Sequence, residues 1–445
     1  MTCTFVPAYL LRRIADSGAA PAVDCDRTLA LDEALRSSRA AAAGLAPASG
    51  STVAPGAAWM VHTADNREVL PGTVARRAGQ PPSGDLAVDE AATGIEASLA
   101  LCADYGRDSY DGRGARVSAT VHYGRAYDNA FWDGTQLVFG DGDGRVFERF
   151  TKPVDVLGHE FAHAVTQYAA GLVYRDQPGA LNESVSDVFA SCMKQRLRGQ
   201  RVADADWLIG AEIFRPGVAA RALRDLAAPG TAYDDPTLGR DPQVGHLDDY
   251  VVTEDDNGGV HLNSGIPNKA FHLAATAIGG TSWEGAGRIW WTALTAGGLR
   301  PDADFAAFAA ATVAAAGDHR AAVERAWAGV GVIPGESREP GAAGGGPRAD
   351  ALVVRRSGGF VGRTVEARCD LAPGDPVADE ARELLGRIDF AGARGGPSLP
   401  DTFSYTFEVP GRPPVTVPQQ HLTGDLERLA ALVLGDGDAV AGEER

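Results

Sequence analysis

The sequence predicts an α+β chain with a strand-rich front part, a helix-rich middle and a small α+β tail. Three observations carry this. From Trp59 to Asp155 short alternating segments such as VSATVHYG (Val117–Gly124) read as half-buried strands, and QLVFGDGDG (Gln136–Gly144) reads as a strand running into a Gly/Asp turn. From Val156 to about Gly331 helical periodicity dominates, broken by Gly/Pro/Asp-rich loops. Then PGESREPGAAGGGPRAD, Pro334 to Asp350, shows no periodicity and separates a last stretch of strands and helices.

Within that frame each element has its own signal. The first 55 residues hold one amphipathic stretch, Leu29 to Ala43, followed by the linker-like GLAPASGSTVAPG. A helix is predicted over roughly Val88–Tyr105. DADFAAFAAATVAAAG and DHRAAVERAWAGVG read as two helices, each started by an aspartate. In the tail, ALVVRRSGGFVGRTVEAR gives two strands about a glycine turn. VADEARELLGRI gives a helix, DTFSYTFEV a strand and GDLERLAALVL a last helix.

Composition bounds the function. The 445 residues suffice for two or three domains, each with its own core. A formal charge of −18 disfavours nucleic-acid partners, and no apolar run is long enough to span a bilayer. The five cysteines are odd in number and scattered, which fits buried reduced thiols. The N-terminus does not read as a signal peptide, because its apolar part is short, interrupted by Pro7 and followed by Arg12 and Arg13. A cytoplasmic protein, or one exported by a non-classical route, is expected.

The chemistry begins at DVLGHEFAHAVTQYAAGLVYRDQPGALNESVSD, Asp155 to Asp187. On a helix His159 and His163 share one face and can offer two imidazoles to one metal ion, while Glu160 points to the neighbouring side. A turn at Gly171 and a second helix from about Pro178 bring back Glu183 as a third ligand. Three protein ligands with a fourth position left for water is the pattern of catalytic zinc. Asp187, one turn after Glu183, can accept the free N–H of a ligating histidine. A pair of core histidines with solvated acids would not need this whole constellation.

HEFAH with NESVSD resembles the thermolysin family of zinc endopeptidases. DNAFWDGTQLVFGDGDG (Asp128–Gly144) is similar to its substrate-binding edge strand, and DNGGVHLNSGIPNKAF (Asp256–Phe271) to the segment carrying its transition-state histidine. The match covers roughly residues 59–333 and implies a two-lobed peptidase: a β-rich lobe over 56–155 and a helical lobe over 156–333. It implies one catalytic zinc on His159, His163 and Glu183, with Glu160 as proton carrier. Tyr174 and His261 would donate to the oxyanion, and Asp256 would orient His261. Asn129 and Ala130 would bind the peptide as an added strand, and Asn182 and Arg224 would hold its backbone beyond the cut. Val156, Ile209 and Leu223 would line the pocket for the residue after the scissile bond. All three are apolar, so cleavage before large apolar residues is expected.

The pattern departs from the family at the double calcium site of its secreted members. Asp155 and Asp206 match two positions, but Lys194, Leu208 and Ala211 stand where three carboxylates would be, so loss of that site is expected. FVPAYLLRRIADSG is similar to the short propeptide of the protealysin subgroup, over residues 1–55. After the 334–349 linker, residues 350–436 resemble emfourin, a small inhibitor of protealysin-like enzymes. The implied whole is a monomeric neutral endopeptidase acting on peptides or proteins, kept latent by its propeptide and a fused inhibitor. A zinc aminopeptidase is disfavoured by the absence of a GxMEN-like motif. The alternative is a catalytically silent zinc-binding scaffold whose C-terminal domain recruits partners.

Overall fold

A computed structural model describes residues 4–42 and 58–337, and in the C-terminal part 351–358, 365–371, 376–388, 390, 403–409, 412 and 414–434. Both linker-like tracts, 44–56 and all but the first four residues of 334–350, lie outside the described residues, as does most of the glycine turn after Ser357. The chain divides into two compact units, Met1–Ala342 and Ala343–Arg445.

Patterning points to one helix in the first 55 residues; the chain forms two, α1 (Ala8–Ser17) and α2 (Ala22–Ala42). The missed α1 is bounded by Pro7, whose fixed φ suits a helix start, and by Gly18 at φ 72, whose amide donates to the Ala15 carbonyl. It buries Leu10, Leu11 and Ile14 in the same apolar cluster as the peptidase-like lobes.

The front strands are β1 (Trp59–Thr63), β2 (Thr73–Arg77), β3 (Val117–Val121), β4 (Ala130–Trp132) and β5 (Leu137–Phe139). They form one mixed sheet in the order β2-β1-β3-β5-β4, with β1, β3 and β5 mutually parallel. Helix α3 (Leu86–Asp104), capped by the Asp85 side chain on the Val88 amide, packs on β1. The topology leaves β4 at the sheet edge. Beyond β5 the Gly/Asp stretch turns as the composition suggests, with one Asp143 oxygen accepting from the amides of Arg145, Val146 and Phe147.

Two long helices follow, α4 (Val154–Tyr168) and α5 (Asp176–Arg198). They lie close because Gly158 has no side chain; a Cβ there would meet Met193 Cε at 2.8 Å. Phe161 and Phe189 stack across the join with centroids 5.8 Å apart. Short strand pairs come next: β6 (Leu208–Ile209) with β7 (Arg224–Asp225), and β8 (Asp234–Asp235) with β9 (Gly239–Arg240). Helices α6 (Asp256–Asn263), α7 (Gly265–Ile278), α8 (Ala286–Thr295), α9 (Phe305–Ala315) and α10 (Arg320–Ala328) complete the lobe. Asp304 caps α9 as its sequence suggests. Asp318 does not cap α10: it sits in a 3₁₀ turn, and His319 precedes the helix without a side-chain cap.

The second unit contains β10 (Ala351–Gly358), β11 (Val365–Asp370), α11 (Pro376–Arg387), β12 (Phe403–Glu408), β13 (Val415–Pro418) and α12 (Gly424–Leu434). Its antiparallel sheet runs β11-β10-β12-β13 over a core that includes Leu352, Val354, Leu384, Phe407 and Leu429. Strand β13 escapes sequence reading because three residues between Pro414 and Pro418 carry too short a pattern.

At the position where the sequence leads us to expect loss of a calcium site, the Lys194 ammonium is buried, 3.1 Å from Asp155 and 2.9 Å from Asp206, and it also donates to the Leu208 carbonyl. Lys194→Met would leave buried Asp155 uncompensated. We expect a loss of about 3–5 kcal/mol in denaturant unfolding of the full chain, the range for breaking a buried pair from one side. An unchanged midpoint would show that the ion pair stabilises nothing.

Candidate metal centre and docking cleft

Helix geometry puts His159 and His163 on one face of α4, and α5 returns Glu183 against them; all three are buried. Their donor atoms converge. His159 Nε2 lies 2.9 Å from His163 Nε2 and 3.4 Å from Glu183 Oε2, and His163 Nε2 is 3.5 Å from Glu183 Oε1. Donors bound ~2.0–2.1 Å from a tetrahedral zinc stand about 3.3 Å from one another, so the spacing fits that ion. Among the described residues no other group of three His, Cys, Asp or Glu donors meets so closely.

The tautomers are set from behind. His159 Nδ1 donates to Asp187 Oδ1 at 2.9 Å and His163 Nδ1 donates to Asn182 Oδ1 at 2.8 Å. Both Nε2 lone pairs therefore face the same point, an arrangement that favours a cation there. Asp187 is itself buried, which opposes its charge. Arg224, bound to both its oxygens at 2.8 Å, and His159 hold it down at about 2. Asn268 Nδ2 adds a further donor at 2.9 Å.

Glu160 points beside the triad and is fully buried, and burial first, then the nearby Glu183, pushes its carboxyl up to about 8. The neighbouring His159 and the Trp132 backbone pull the other way. Tyr174 Oη donates to Glu183, and the Tyr174 and His261 rings lie 6.5 Å apart.

His261 arrives by an unusual path. Asp256, Asn257, Gly258 and Gly259 all take left-handed backbone, at φ 54, 52, 83 and 72. At Gly258 the φ of 83 favours glycine, and a Cβ would also crowd the Asp176 backbone nitrogen at 3.0 Å. This tight winding turns Asp256 back onto the following helix, where its carboxylate accepts from both the backbone amide (2.8 Å) and Nδ1 (2.7 Å) of His261. Burial opposes the imidazolium, but Asp256 and Glu183 raise its pKa.

The cleft between the lobes holds the start of the chain. Phe5 N–H donates to the Ala130 carbonyl at 3.0 Å on the free side of β4. Val6 N–H donates to Asn129 Oδ1 at 2.8 Å, and Asn129 Nδ2 donates to the Val6 carbonyl at 3.1 Å. His261 Nε2 donates to the Thr4 carbonyl at 3.1 Å, and Arg224 Nη1 to the Phe5 carbonyl at 3.3 Å. The Phe5 ring is fully buried, edge-on to His159 at 5.2 Å and beneath the Arg224 guanidinium at 4.7 Å. Helix α2 fastens the same surface: Tyr127 Oη and Asn129 Nδ2 donate to Asp32, and the Asp128 amide to Thr28 Oγ1.

Of the residues singled out from sequence, Asn129, Ala130 and Arg224 thus meet this segment's backbone. Ile209 on β6 and Leu223 just before β7 are buried beside Gly210, where an added Cβ would lie 3.4 Å from the Phe5 ring; Val156 is buried one turn before His159 on α4. Asn182, next to Glu183 on α5, turns its Oδ1 to His163 Nδ1. Sequence reasoning missed Asn268, although it lies in the quoted Asp256–Phe271 stretch, and missed Asp32 and Thr28, which lie on α2 with no local motif.

Residues 170–332 match the thermolysin metallopeptidase alpha-helical domain and residues 79–167 the thermolysin metallopeptidase catalytic domain. The chain is 46% identical over 338 residues to an extracellular metalloprotease of Pectobacterium carotovorum subsp. carotovorum, spanning 74% of this chain and 96% of that one. A thermolysin of Alicyclobacillus acidocaldarius subsp. acidocaldarius is 39% identical over 279 residues, 59% of this chain but only 47% of the relative. Among solved structures, the precursor of protealysin, a metalloproteinase from Serratia proteamaculans, superposes with a TM-score of 0.68 at 44% identity, covering 74% of this chain and all of that one.

The donor geometry predicts about one zinc per chain by elemental analysis, lost in Glu183→Ala. Asp187→Asn should keep the fold but weaken zinc affinity some 10- to 100-fold in chelator competition. Full zinc retention in Glu183→Ala would overturn the assignment of the third ligand.

Proposed function

The chain belongs to the thermolysin family of zinc metallopeptidases, and from that premise we propose a neutral endopeptidase that cuts before large apolar residues and is held latent by residues at both ends of its sequence. In this reading His159, His163 and Glu183 would hold the zinc, which when bound would supply Lewis-acid chemistry, lowering the pKa of water toward ~7 and polarising the substrate carbonyl. Glu160 takes a proton from the attacking water and passes it to the leaving amine. His261, held by Asp256, and Tyr174 donate to the oxygen on which negative charge develops, each donor worth a few kcal/mol. Asn129 and Ala130 align the substrate as an added strand, and Arg224 grips the carbonyl after the cut. Val156, Ile209 and Leu223 favour an apolar side chain at that subsite, because filling a dry pocket with a Leu or Phe contributes roughly 1.5–3 kcal/mol.

The observation that supports latency is the N-terminal segment on β4, with Phe5 as the apolar residue in that subsite. A substrate peptide would need the same Asn129, Ala130 and Arg224 groups, so the two exclude each other. We also read the second unit as an emfourin-like inhibitor. Its two-layer α+β build and its tether of about 15 residues support this, since a short tether gives a local concentration in the millimolar range when its reach suits the target.

The test is hydrolysis of a quenched peptide with Leu after the scissile bond. Full-length chain is compared with a chain ending at Gly341 and with a full-length Phe5→Asp variant, each beside a Glu160→Gln control. Both altered forms should be faster than the full-length chain, and Glu160→Gln should lower kcat by about 10²–10⁴-fold. Equal rates for the full-length and shortened chains would remove inhibition by the C-terminal unit. Equal rates for Phe5→Asp would remove inhibition by the N-terminal segment, and equal cutting of a peptide with Asp in place of Leu would remove the specificity.

A further inference from the structure

Helix α2 covers the residues just before β4, and this contact gathers negative charge. The Asp128 amide donates to Thr28 Oγ1 at 3.2 Å, and Cys25, Thr28 and Asp32 are all buried on α2. Asp32 has donors in Tyr127 and Asn129. Asp128 is placed differently. It is 1% exposed, and among the described residues no side chain donates to either of its carboxyl oxygens.

What faces Asp128 is more acid. Asp143 spends Oδ1 on the three amides of its turn, while its Oδ2 is buried without a hydrogen-bond partner among the described residues. Asp24, in the first turn of α2, adds a third carboxyl and pairs with Arg27 only at 3.8 Å. The Cys25 thiol stays neutral: burial first, then Asp128, Asp143, Asp24 and Asp26, pushes it up to about 12. Burial, then Asp143 and Asp24, holds the Asp128 carboxyl well above the usual carboxylate range, with the Asp143 amide pulling the other way.

We propose that docking of α2 takes up one proton on the Asp128 carboxyl, so that the latent arrangement tightens as pH falls and loosens as pH rises. The inference rests on the latency reading above. With α2 lifted away, Asp128 loses Asp24 and regains water on that side, so it titrates nearer the ordinary ~3.9. With α2 docked, ionising it buries a charge beside like charges. Docking is therefore fully favoured below the ordinary value. Above it, docking weakens by up to about tenfold for each pH unit until the docked value is reached. A neutral Asp128 also carries an O–H, the kind of group that Asp143 Oδ2 lacks.

The experiment titrates the full-length, zinc-supplied Glu160→Gln chain with a fluorescent peptide carrying Leu for the apolar subsite, from about pH 5 to about pH 8. Peptide and N-terminal segment exclude each other, so peptide affinity reports how far the segment has let go. His261 also meets the segment, so the quantity read is the affinity ratio between this chain and the same chain carrying Asp128→Asn. The ratio should grow with pH, by up to about tenfold per unit. Asp24→Asn, which keeps the titrating acid but removes one like charge, should shrink that growth. Should Asp128→Asn fail to fold, Asp24→Asn against the unaltered Glu160→Gln chain makes the same comparison. A ratio flat across pH overturns the proposal. So does a ratio that follows added calcium at fixed pH, which would put a cation rather than a proton among the carboxyls. Phe5→Asp in the Glu160→Gln chain separates the failures. If it binds the peptide more tightly while the ratio is flat, the latency reading stands and only the proton linkage falls. If it binds no more tightly, the segment does not compete and both fall.

Discussion

Two imidazole lone pairs and a carboxylate, packed within 3.5 Å of one another in a fully buried place, are an arrangement that a folded chain tolerates only for a cation. Much of the helical lobe exists to hold them there. Gly158 lets α4 and α5 approach, and the Phe161–Phe189 stack fixes their separation. Asp187 and Asn182 on α5 then lock the two ring orientations on α4. Asp187 could not remain charged in that surrounding without Arg224, so β7, which carries Arg224, is drawn into the same network, as is α7 through Asn268. One buried carboxylate thereby ties together two helices, a strand and a third helix. The guanidinium it holds is the same one that reaches the Phe5 carbonyl, so the metal centre and the docking cleft share a residue rather than merely adjoining.

The opposite wall of the cleft follows from a constraint of a different kind. A sheet edge has unpaired backbone groups that must find partners, and β4 is such an edge. Three residues long, it is too short to recruit another chain indiscriminately. It offers one carbonyl, at Ala130, beside an amide side chain, at Asn129, that can both donate and accept. The N-terminal segment takes both. Helix α2 adds Asp32, which receives Asn129 Nδ2 and Tyr127 Oη together. Asn129 is thus engaged simultaneously by the strand-like segment and by the helix behind it.

How much of this could be read beforehand depended on sequence distance. The triad is local: HEFAH spans one helical turn and Glu183 lies within the next helix, so periodicity alone brings the donors together. The helical lobe was legible for the same reason. Features that join distant segments were not. Nothing near Asn268 or Asp32 marks them as partners of Asp187 or Asn129, because those contacts appear only once helices have packed. Helix α1 is ten residues with apolar positions on a single face, beginning after a proline that also suits an extended chain, and its stability comes from docking rather than propensity. The left-handed run at Asp256–Gly259 was visible as a Gly pair, and Asp and Asn are the non-glycine residues most tolerant of that conformation, but that Asp256 and Asn257 would both adopt it here could not be read from residue type alone.

Lys194 shows why a matched family position must be read as chemistry. Without a cation between them, buried Asp155 and the more exposed Asp206 would repel each other. A single ammonium between them restores neutrality with a covalently attached cation. Burial works against its charge, but the two carboxylates raise its pKa. A metal ion at such a place links stability to free calcium, which varies between compartments; a lysine removes that link while keeping α4, α5 and the Asp206 loop joined. The same segment of α4 that begins at Asp155 carries His159 one turn later. The Lys194 ammonium, fixed to α5, therefore anchors the start of the histidine-bearing helix to α5 and to the Asp206 loop.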